Sequence, residues 1–521
     1  MQQLQKTAAS CSRDYMRTDR HWQKIGLRSH HGISLPLSAL RSKKSCGIGE
    51  FHDLISLIDW CSAVGFDCIQ LLPLTDMGDD TSPYNPVSSC ALDPIFLSLA
   101  DLPGVDPTSL EVFFPFKELP RVAIREVKHQ KIQWLYRYFL ETFEPLSHTQ
   151  AYLDFLKEES WVLPYALFKA FKDEYGGKFW KEWPPEARQF NPHIIESKKS
   201  SIDFHSFMQY HCYAQLKHAR AYAEAVGIFF KGDVPILISP DSADVWAEPH
   251  LFNLELEAGA PPDYYNKLGQ KWGFPLFNWE MMKGTKFTWW KRRLKAASHL
   301  YPIYRIDHVV GFFRIWAIPK EKSAKEGHFV PADHHKWAQH GQEILEMMID
   351  SSPALPMAED LGVIPDEVYP ILKELGICGT KVLRWQKQND VYIPYCEYEP
   401  FSLTTVSTHD MDTVSGWWKK FPDEAIAFAK FKGWSYHPRL SSEQLLEILK
   451  DAHHTASYFH INLLQEYLAL FPELVSTNVE EERINIPGQI LPNNWTYRFK
   501  PSLEELLGHE GLTQAIGNIL R

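Results

Sequence analysis

The sequence contains few cysteines, and their spacing matches no common site. The eight cysteines of this 521-residue chain lie at positions 11, 46, 61, 68, 90, 212, 378 and 396. No two of them have the C-x-x-C spacing that is typical of zinc sites and of thiol redox motifs. We therefore expect neither kind of site, and a reducing, cytoplasmic compartment is the simplest expectation.

Long apolar runs are also missing. No stretch of about 18 apolar residues is present to form a membrane-spanning helix. The first 20 residues, MQQLQKTAASCSRDYMRTDR, lack the apolar core of a secretory signal. We expect no membrane partner, and we expect residues 1–20 to form a flexible polar tail.

Basic residues are fewer than acidic ones, 54 against 65, which gives a net charge of −11. This balance argues against nucleic acid as a partner, because such surfaces carry clustered positive charge. Aromatic residues, in contrast, are abundant: 18 Trp, 22 Tyr and 31 Phe. Most of them are expected to build a large core. Some could also serve as flat platforms for sugar rings, and the two interpretations are compatible.

Short apolar runs recur along the chain, and each is followed by polar or charged residues. Helical patterns separate several of these runs, for example over residues 51–65 and 337–352. Alternation of buried strands and helices is typical of a parallel sheet, and eight such units predict an α/β fold, a (β/α)₈ TIM barrel. The eight predicted strands are 32–37, 66–74, 227–236, 301–308, 354–361, 379–385, 404–410 and 483–488.

Two gaps between the predicted strands are too long to be simple loops. They cover about residues 75–226 and 237–300, after the second and third strands. Structureless loops of this length are uncommon in compact domains, so we predict inserted subdomains. The expected organisation is a tail over residues 1–20 and a single catalytic barrel over residues 21–521 that carries both insertions.

Three of the predicted strands end in acids, namely Asp307, Glu359 and Asp410. In TIM barrels the carboxyl ends of the strands meet at the active-site mouth. Paired carboxylates at such a mouth are the apparatus of retaining glycoside chemistry, with one nucleophile and one general acid/base. Each acid alone is commonplace, and it is their joint position at strand ends that points to a site.

Arg305 lies two residues before Asp307 and therefore on the same face of a strand. Its positive charge is expected to lower the pKa of the Asp307 carboxyl. A purely structural ion pair at the strand end explains Arg-x-Asp equally well. His409, beside Asp410, could bond sugar hydroxyls or be structural, and the residues alone favour the structural role.

No metal or cofactor is expected. Asp76, Asp79 and Asp80 in TDMGDDTSPY could suggest a metal site, but a solvated turn is the better interpretation because Gly and Asp favour turns. The histidine doublets 30–31, 334–335 and 453–454 lack further ligands at useful spacing. We predict that these doublets lie on the surface.

Together, RIDH (305–308), AEDLG (358–362) and THD (408–410) resemble the 4-α-glucanotransferases called amylomaltases or disproportionating enzymes, glycoside hydrolase family 77. The resemblance extends from about residue 26 to about residue 505. Further segments that resemble family motifs, in chain order, are LPLSALRSKKSCGIGEFHDL, LLPLTDMGDDTSPYNPVSS, KGDVPI, DSADVWAEPHLF, PPDYYNKLGQKWGFPLFNW, RINIPG and NNWTYRF. Many ordered motifs make the match specific, although each alone is weak.

The resemblance implies a role for each matched position. Asp307 would be the nucleophile, Glu359 the general acid/base, and Asp410 a brace for sugar hydroxyls in the distorted transition state. The substrates would be α-1,4-glucans of the maltodextrin or glycogen type, as donor and as acceptor, without a cofactor. The implied substrate-binding residues are Arg305, His409, Tyr84, Asp241, Asp263, Gln270, Trp272 and Asn485.

Three functional hypotheses follow. The first is a glucanotransferase that moves α-1,4-glucan segments to the non-reducing end of an acceptor by double displacement. The second is an α-1,4-glucan hydrolase of the amylase type, which would use the same carboxylates with water as acceptor. The third is a catalytically silent glucan-binding protein, because a fold alone does not guarantee activity. The sequence predicts no oligomeric state.

Overall fold

The predicted barrel is present in this computed structural model, which describes residues 16–262 and 267–521. Eight parallel strands pair in the order β10-β13-β14-β1-β2-β3-β6-β9. The last gap is bridged where the Ala358 N–H donates to the Cys378 carbonyl at 2.7 Å, which makes the barrel nearly closed. In the described residues the strands are β1 His30–Leu35, β2 Cys68–Leu71, β3 Phe229–Val234, β4 Phe252–Ala260, β5 Gln270–Phe277, β6 Ile303–Ile306, β7 Ile315–Pro319, β8 His328–Val330, β9 Leu355–Ala358, β10 Gly379–Val382, β11 Lys387–Gln388, β12 Val391–Tyr392, β13 Ser402–Thr405 and β14 Phe459–Leu463.

The helices cover the outside of the barrel and fill the insertions. The predictions over 51–65 and 337–352 are confirmed as α2 and α11. The α-helices of the described residues are α1 Asp19–Ile25, α2 Asp53–Val64, α3 Phe114–Lys117, α4 Ile124–Ser147, α5 Gln150–Glu158, α6 Val162–Glu174, α7 Lys199–Ala225, α8 Ala243–Ala247, α9 Trp279–Gly284, α10 Thr288–Ser298, α11 Trp337–Ser351, α12 Val368–Leu375, α13 Val414–Lys420, α14 Pro422–Phe431, α15 Ser442–His453, α16 Leu464–Leu468, α17 Leu503–Leu507 and α18 Glu510–Leu520. None of the helices in the described ranges is long and apolar enough to cross a membrane.

The barrel strands are buried along nearly their whole length, as expected for a parallel sheet that is covered on both faces. Strands β2, β6, β9, β13 and β14 are buried at every position. This explains why all of them except β13 appear in the sequence as short, mostly apolar runs and not as alternating patterns. Their polar neighbours come immediately after the strands, at the mouth of the barrel.

Seven of the eight predicted strands are present, and the prediction of the eighth is wrong. Residues 483–488 form no strand, and the last barrel strand is β14, which pairs with β1 and β13. The run FHINL continues directly into the apolar helix α16, and an apolar run of this length does not distinguish strand from helix. The strand predicted over 404–410 begins earlier, at Ser402, and ends at Thr405. His409 and Asp410 therefore lie in the following loop.

The two long gaps are filled with secondary structure. Helices α3–α7 lie between β2 and β3, and α8, β4, β5, α9 and α10 lie between β3 and β6. Strands β4 and β5 form an antiparallel hairpin, which joins β7 and β8 in a separate four-stranded sheet. The division into subdomains at 75–226 and 237–300 stays a prediction.

The amino-terminal tail was predicted over residues 1–20, and residues 1–15 lie outside the described part of the chain. Within the described part, Thr18 is buried and its hydroxyl donates to the Leu375 carbonyl at 2.7 Å. Helix α1 follows at once and buries Trp22, whose indole N–H donates to the Gly376 carbonyl. This segment therefore packs against the end of α12.

The prediction of surface histidines is wrong for His30 and His453, which are both buried. His31 is partly buried, whereas His334, His335 and His454 are exposed as predicted. The buried residues lie at the amino-terminal end of β1 and at the end of α15, where strand and helix close on each other. A doublet in the sequence carries no information on this packing.

Candidate active site

Arg305 is the central residue of the mouth. It is the third residue of β6, and its Nη1 lies 2.8 Å from Asp233 Oδ2 and 3.0 Å from Asp307 Oδ1. Its Nη2 lies 3.9 Å from Glu359 Oε2. One buried guanidinium thus contacts three carboxylates from the ends of three neighbouring strands, β3, β6 and β9. Such a cation offsets much of the cost of burying the acids, because it pairs with all of them.

Glu359 is held by backbone donors. The His308 N–H donates to Glu359 Oε2 at 2.8 Å and the Leu361 N–H donates to Glu359 Oε1 at 2.9 Å. His308 adopts the left-handed conformation, with φ 45°, which is unusual for a residue with a side chain. This turn directly after Asp307 aims the amide at Glu359. The neighbouring Asp360 points away and accepts from the Thr380 N–H, so only one acid of the pair faces the mouth.

Asp410 is fixed from the side of the segment 483–499. Asn485 Nδ2 donates to Asp410 Oδ1 at 2.6 Å, and the Asn485 N–H donates to the His409 carbonyl at 3.1 Å. His409 Nε2 lies 3.3 Å from Asp410 Oδ2. The side chain of His409 is buried, whereas that of Asp410 is 42% exposed and therefore open to a ligand.

An aromatic wall stands beside these carboxylates. The Tyr84 ring stacks on the His409 ring with centroids 5.2 Å apart, and the Trp495 ring contacts Tyr84 at 5.4 Å. The Tyr84 hydroxyl donates to Asp233 Oδ2 at 2.7 Å, which connects the wall to the Arg305 network. Flat rings with polar edges suit the stacking of sugar rings.

The β4–β5 hairpin provides the other side of the site. Trp272, on β5, lies edge-on to the His308 ring with centroids 5.1 Å apart. Its indole N–H donates to Gln270 Oε1 at 3.1 Å, so the two residues implied by the resemblance contact each other. Asp263, which is also implied, lies outside the described residues.

Asp241 lies on a different wall. Its carboxylate pairs with Lys172 at 2.6 Å and is near the Trp180 N–H at 3.4 Å, both from the insertion after β2. No contact joins it to the three acids in the described ranges. The structure therefore brings together Asp307, Glu359, Asp410, Arg305, His409, Tyr84 and Asn485, with Trp272 and Gln270 beside His308.

Burial and charge set different pKa values for the three acids. Burial raises the pKa of Asp307 to about 6, although the Arg305 charge opposes it. Burial also raises the pKa of Glu359, against Arg305 and two backbone N–H groups. Burial acts upward on Asp410 too, but His409 and Asn485 lower its pKa to about 2. Arg305 does act to lower the pKa of Asp307, as expected, but burial of the carboxyl, together with the nearby charges of Asp233 and Glu359, outweighs it and the net shift is upward.

The prediction that Asp76 lies in a solvated turn is wrong. Its carboxylate is fully buried and pairs with Lys128 at 2.8 Å and with Lys169 at 3.1 Å. The Tyr165 hydroxyl also donates to it at 2.8 Å. The lysines come from α4 and α6, far along the chain, so the local sequence could not indicate the burial. The ammonium groups of these two lysines balance the charge of the Asp76 carboxylate, as a metal ion would.

One group of three side chains in the described ranges could hold a metal ion, namely Asp333, His334 and His335, whose ligand atoms all lie within 4.8 Å of one another. All three are exposed on the turn before α11. None of them contacts the three acids at the mouth. The Arg305 cluster itself already contains its cation.

Sequence reasoning missed two residues of the site. Asp233 is the penultimate residue of β3, and Asp307 directly follows β6, so both are acids at the carboxyl end of a strand. Trp495 lies in NNWTYRF, and its position at the mouth depends on the path of the long segment 483–499. The first residue could have been found by the strand-end rule, and the second could not.

The chain is similar to known proteins of one enzyme family. The profile of the 4-alpha-glucanotransferase family matches residues 35–504. The chain belongs to the 4-α-glucanotransferase family. A relative from Chlamydia pneumoniae, named 4-alpha-glucanotransferase, is 43% identical over 96% of this chain and 97% of its own length. A Thermus thermophilus relative of the same name is 33% identical over 83% of this chain and 87% of its own.

Solved structures support the same assignment. An amylomaltase from Streptococcus agalactiae, solved in complex with acarbose, covers 94% of this chain and 98% of its own chain. Its TM-score is 0.79 at 25% sequence identity. Family membership over nearly the whole chain makes this protein an enzyme of the 4-α-glucanotransferase type that acts on α-glucans. It also confirms the family resemblance and the barrel fold.

Proposed function

We propose that the enzyme transfers α-1,4-glucan segments from a donor to the non-reducing end of an acceptor by a retaining double displacement. The donor and acceptor are maltodextrin or glycogen-type glucans, with glucose as the smallest acceptor. The observation that carries the proposal is the contact of one guanidinium, Arg305, with both Asp307 and Glu359. Because both acids contact the same group, they lie close together at the mouth, as a paired-carboxylate mechanism requires.

In the first step the Asp307 carboxylate attacks the anomeric carbon of the donor, and the bond from that carbon to the glycosidic oxygen breaks. Glu359 gives its proton to the leaving oxygen. The raised pKa of the Glu359 carboxyl favours the protonated form that this step requires. With a pKa of about 6, Asp307 is mostly ionised at neutral pH and can act as nucleophile.

In the second step a 4-hydroxyl of the acceptor attacks the same carbon. Glu359, now ionised, takes the hydroxyl proton, and the bond between Asp307 and the sugar breaks. Two inversions at one carbon retain the α configuration. Asp410, with its pKa lowered to about 2, stays ionised throughout and can accept hydrogen bonds from sugar hydroxyls.

Transfer is favoured over hydrolysis when water is kept away from the intermediate. Trp272 on the β4–β5 hairpin and the stack of Tyr84, His409 and Trp495 give the mouth apolar walls on two sides. These walls also offer rings against which an acceptor sugar can pack. We propose that they hold the acceptor in place of water.

The protein is also proposed to work in a reducing compartment, the cytoplasm. In the described ranges all seven cysteines carry free thiols, and six of them are buried. Burial raises the pKa of several of these thiols, for example that of Cys90 to about 12, so they are protonated and unreactive. They behave as small core residues.

The experiment that tests the function uses maltotriose alone as donor and acceptor. Glucose, longer oligosaccharides and total reducing ends are followed together. The proposal expects glucose and a ladder of longer chains at a constant number of reducing ends. A steady rise of reducing ends without a ladder would identify a hydrolase, and no change with bound glucan would identify a silent binding protein.

A further inference from the structure

Asp410 and His409 lie on a segment without regular structure, residues 406–413, between β13 and α13. The beginning of this segment is tied to the neighbouring strand, because the Val406 N–H donates to Asn462 Oδ1 at 2.8 Å. Three further hydrogen bonds from the two ends of the segment are accepted by one residue, Glu466 of α16, in addition to those that Arg384, Arg483 and Asn485 make to its middle. The Ser407 hydroxyl donates to Glu466 Oε1, and the Val414 N–H donates to Glu466 Oε1 at 3.0 Å and to Oε2 at 3.3 Å.

Glu466 therefore holds both ends of the stretch that carries the two site residues. Ser407 lies two residues before His409, and Val414 is the first residue of α13. Closing a loop at both ends on one rigid group removes most of its freedom. Without these bonds, the stretch 408–413 would still be held at its middle, where Arg483 Nη2 donates to the Asp410 carbonyl at 3.1 Å and Arg384 Nη2 donates to the Asp412 carbonyl at 3.0 Å, but Glu466 would no longer link its two ends.

The buried carboxyl of Glu466 is unfavourable for the stability of the fold. Its side chain is fully buried, and it forms no ion pair within 4 Å in the described ranges. Burial raises the pKa of its carboxyl to about 7, with Arg384 and Glu482 as more distant charges. A buried carboxyl without a cation costs free energy that an apolar residue would avoid. Its three hydrogen bonds to the loop offset part of this cost.

Glu466 is less accessible to a ligand than Asp410 is. The side chains of Ser407 and Val414, which it contacts, are themselves buried, whereas Asp410 is open to the mouth. In the described ranges Glu466 bonds to the loop at Ser407 and Val414 and makes no hydrogen bond to Asp410. This distinguishes it from Asn485, which bonds Asp410 directly.

We propose that Glu466 is a positioning residue, which clamps the loop 407–413 so that Asp410 and His409 face the glucan in the geometry of the transition state. The inference rests on the proposed function of Asp410. Contacts that matter most in the transition state are lost as kcat, with smaller changes in KM. Loss of the clamp is therefore expected to lower kcat more than to raise KM.

The test compares Glu466→Ala, Glu466→Gln and a matched control, Glu159→Ala. Glu159 is also a buried carboxylate, bonded to Trp161 and His299 in the insertion, and it contacts no residue of the mouth. Transfer from maltotriose is measured for all three at a temperature well below their unfolding midpoints. The control shows how much activity is lost through destabilisation alone.

We expect Glu466→Ala to lose on the order of 10- to 100-fold in kcat, the usual cost of a small misplacement of a catalytic group, with KM within about 3-fold. Gln keeps an acceptor oxygen for Ser407 and Val414, so Glu466→Gln is expected to restore most of the kcat. Glu159→Ala should retain nearly wild-type kcat.

Two results would overturn the inference. One is a Glu466→Ala enzyme whose kcat loss is no greater than that of Glu159→Ala. The other is a Glu466→Gln enzyme as impaired as Glu466→Ala, which would make the charge and not the clamp responsible. Failure of the proposed function is separate, because it would appear as the absence of a transfer ladder in the wild-type enzyme.

Discussion

Two regions of the barrel bury titratable side chains. One region keeps these side chains charged, and the other keeps them neutral. At the mouth, Asp233, Asp307 and Glu359 share the guanidinium of Arg305. Near the amino-terminal ends of β1 and β14 lies the histidine cluster of His31, His453 and His460. Within the described part of the chain, the rings of these histidines hydrogen-bond to no carboxylate. The mouth thus keeps charges by pairing them, whereas the cluster avoids charge.

Geometry explains how the histidine cluster stays neutral. His31 Nδ1 and His453 Nδ1 lie 2.9 Å apart, so one must donate and the other must accept. His453 Nε2 lies 2.6 Å from the Tyr467 hydroxyl, and the His460 ring stacks on the His31 ring at 4.9 Å. Burial lowers the pKa of His31 and of His460 to about 4. Buried titratable groups therefore serve packing in the histidine cluster and acid/base chemistry at the mouth.

The largest expected effect is at the mouth. Asp307→Asn removes the nucleophile but keeps the shape of the side chain, so glucan binding should change little. Turnover of maltotriose should fall by on the order of 10⁴-fold or more, as for other removed nucleophiles. Steady-state kinetics and binding of a non-reacting oligosaccharide measure the two quantities, and turnover close to wild type would exclude the mechanism.

Removal of the shared cation should harm both stability and activity. In Arg305→Met, three carboxylates lose their partner, and breaking a buried pair in this way costs about 3–5 kcal/mol in the free energy of unfolding. Activity should fall as well, because the pKa values of Asp307 and Glu359 would rise. Denaturant unfolding at pH 7 gives the first quantity. An unfolding free energy within 1 kcal/mol of wild type would mean that the cluster is not charged as described.

Acid should destabilise the protein through the histidine cluster. A histidine with a folded pKa of about 4 and an unfolded pKa of about 6.5 keeps its full contribution above pH 6.5 and loses it progressively as the pH falls towards 4. Between pH 7 and 5 this amounts to about 2 kcal/mol for His460. The unfolding free energy of the wild type should therefore drop across this range.

The matched variants separate this effect from general acid unfolding. His460→Gln cannot take up the proton, so its loss of stability between pH 7 and 5 should be smaller by about the same 2 kcal/mol. His334→Gln changes an exposed histidine and should follow the wild type. Equal slopes for all three proteins would show that the cluster does not resist protonation.

The smallest effect concerns the wall of the mouth. Trp272→Ala opens the side of the site near His308 but removes a half-buried ring, so stability should change by only about 1 kcal/mol. Water should then compete better for the intermediate, and the ratio of new reducing ends to transferred segments should rise several-fold. An unchanged ratio would mean that the hairpin has no part in excluding water.

The sequence predicts the barrel well because its strands are short buried runs between helical patterns. It fails at β14, whose apolar residues continue into α16 without a turn signal. It also fails for the boundaries of β13, where SLTT is too polar to appear as a buried strand. Contacts with Ser457 and Thr455 satisfy the hydroxyls of that strand, and these partners lie over 50 residues away.

The three acids of the site could be predicted, but not their electrostatic state. Arg305 and Asp307 are two residues apart at the end of β6, which suggests a simple pair. The full burial of Asp307 and the presence of Asp233 and Glu359 beside it depend on the fold and on strand order, and together they make the net pKa shift upward. The burial of Asp76 and His453 could not be predicted either, because it depends on tertiary packing: Asp76 pairs with lysines of α4 and α6, and His453 contacts His31 of β1.

The most direct test of the central claim is to trap the intermediate on Asp307. Glu359→Gln removes the acid/base, and α-maltotriosyl fluoride supplies a leaving group that departs without protonation. The account predicts that mass spectrometry of the digested protein finds a maltotriosyl group on the peptide that contains Asp307, and that Asp307→Asn abolishes the label. A label on Asp410 or Asp233, or reaction without any labelled peptide, would contradict it.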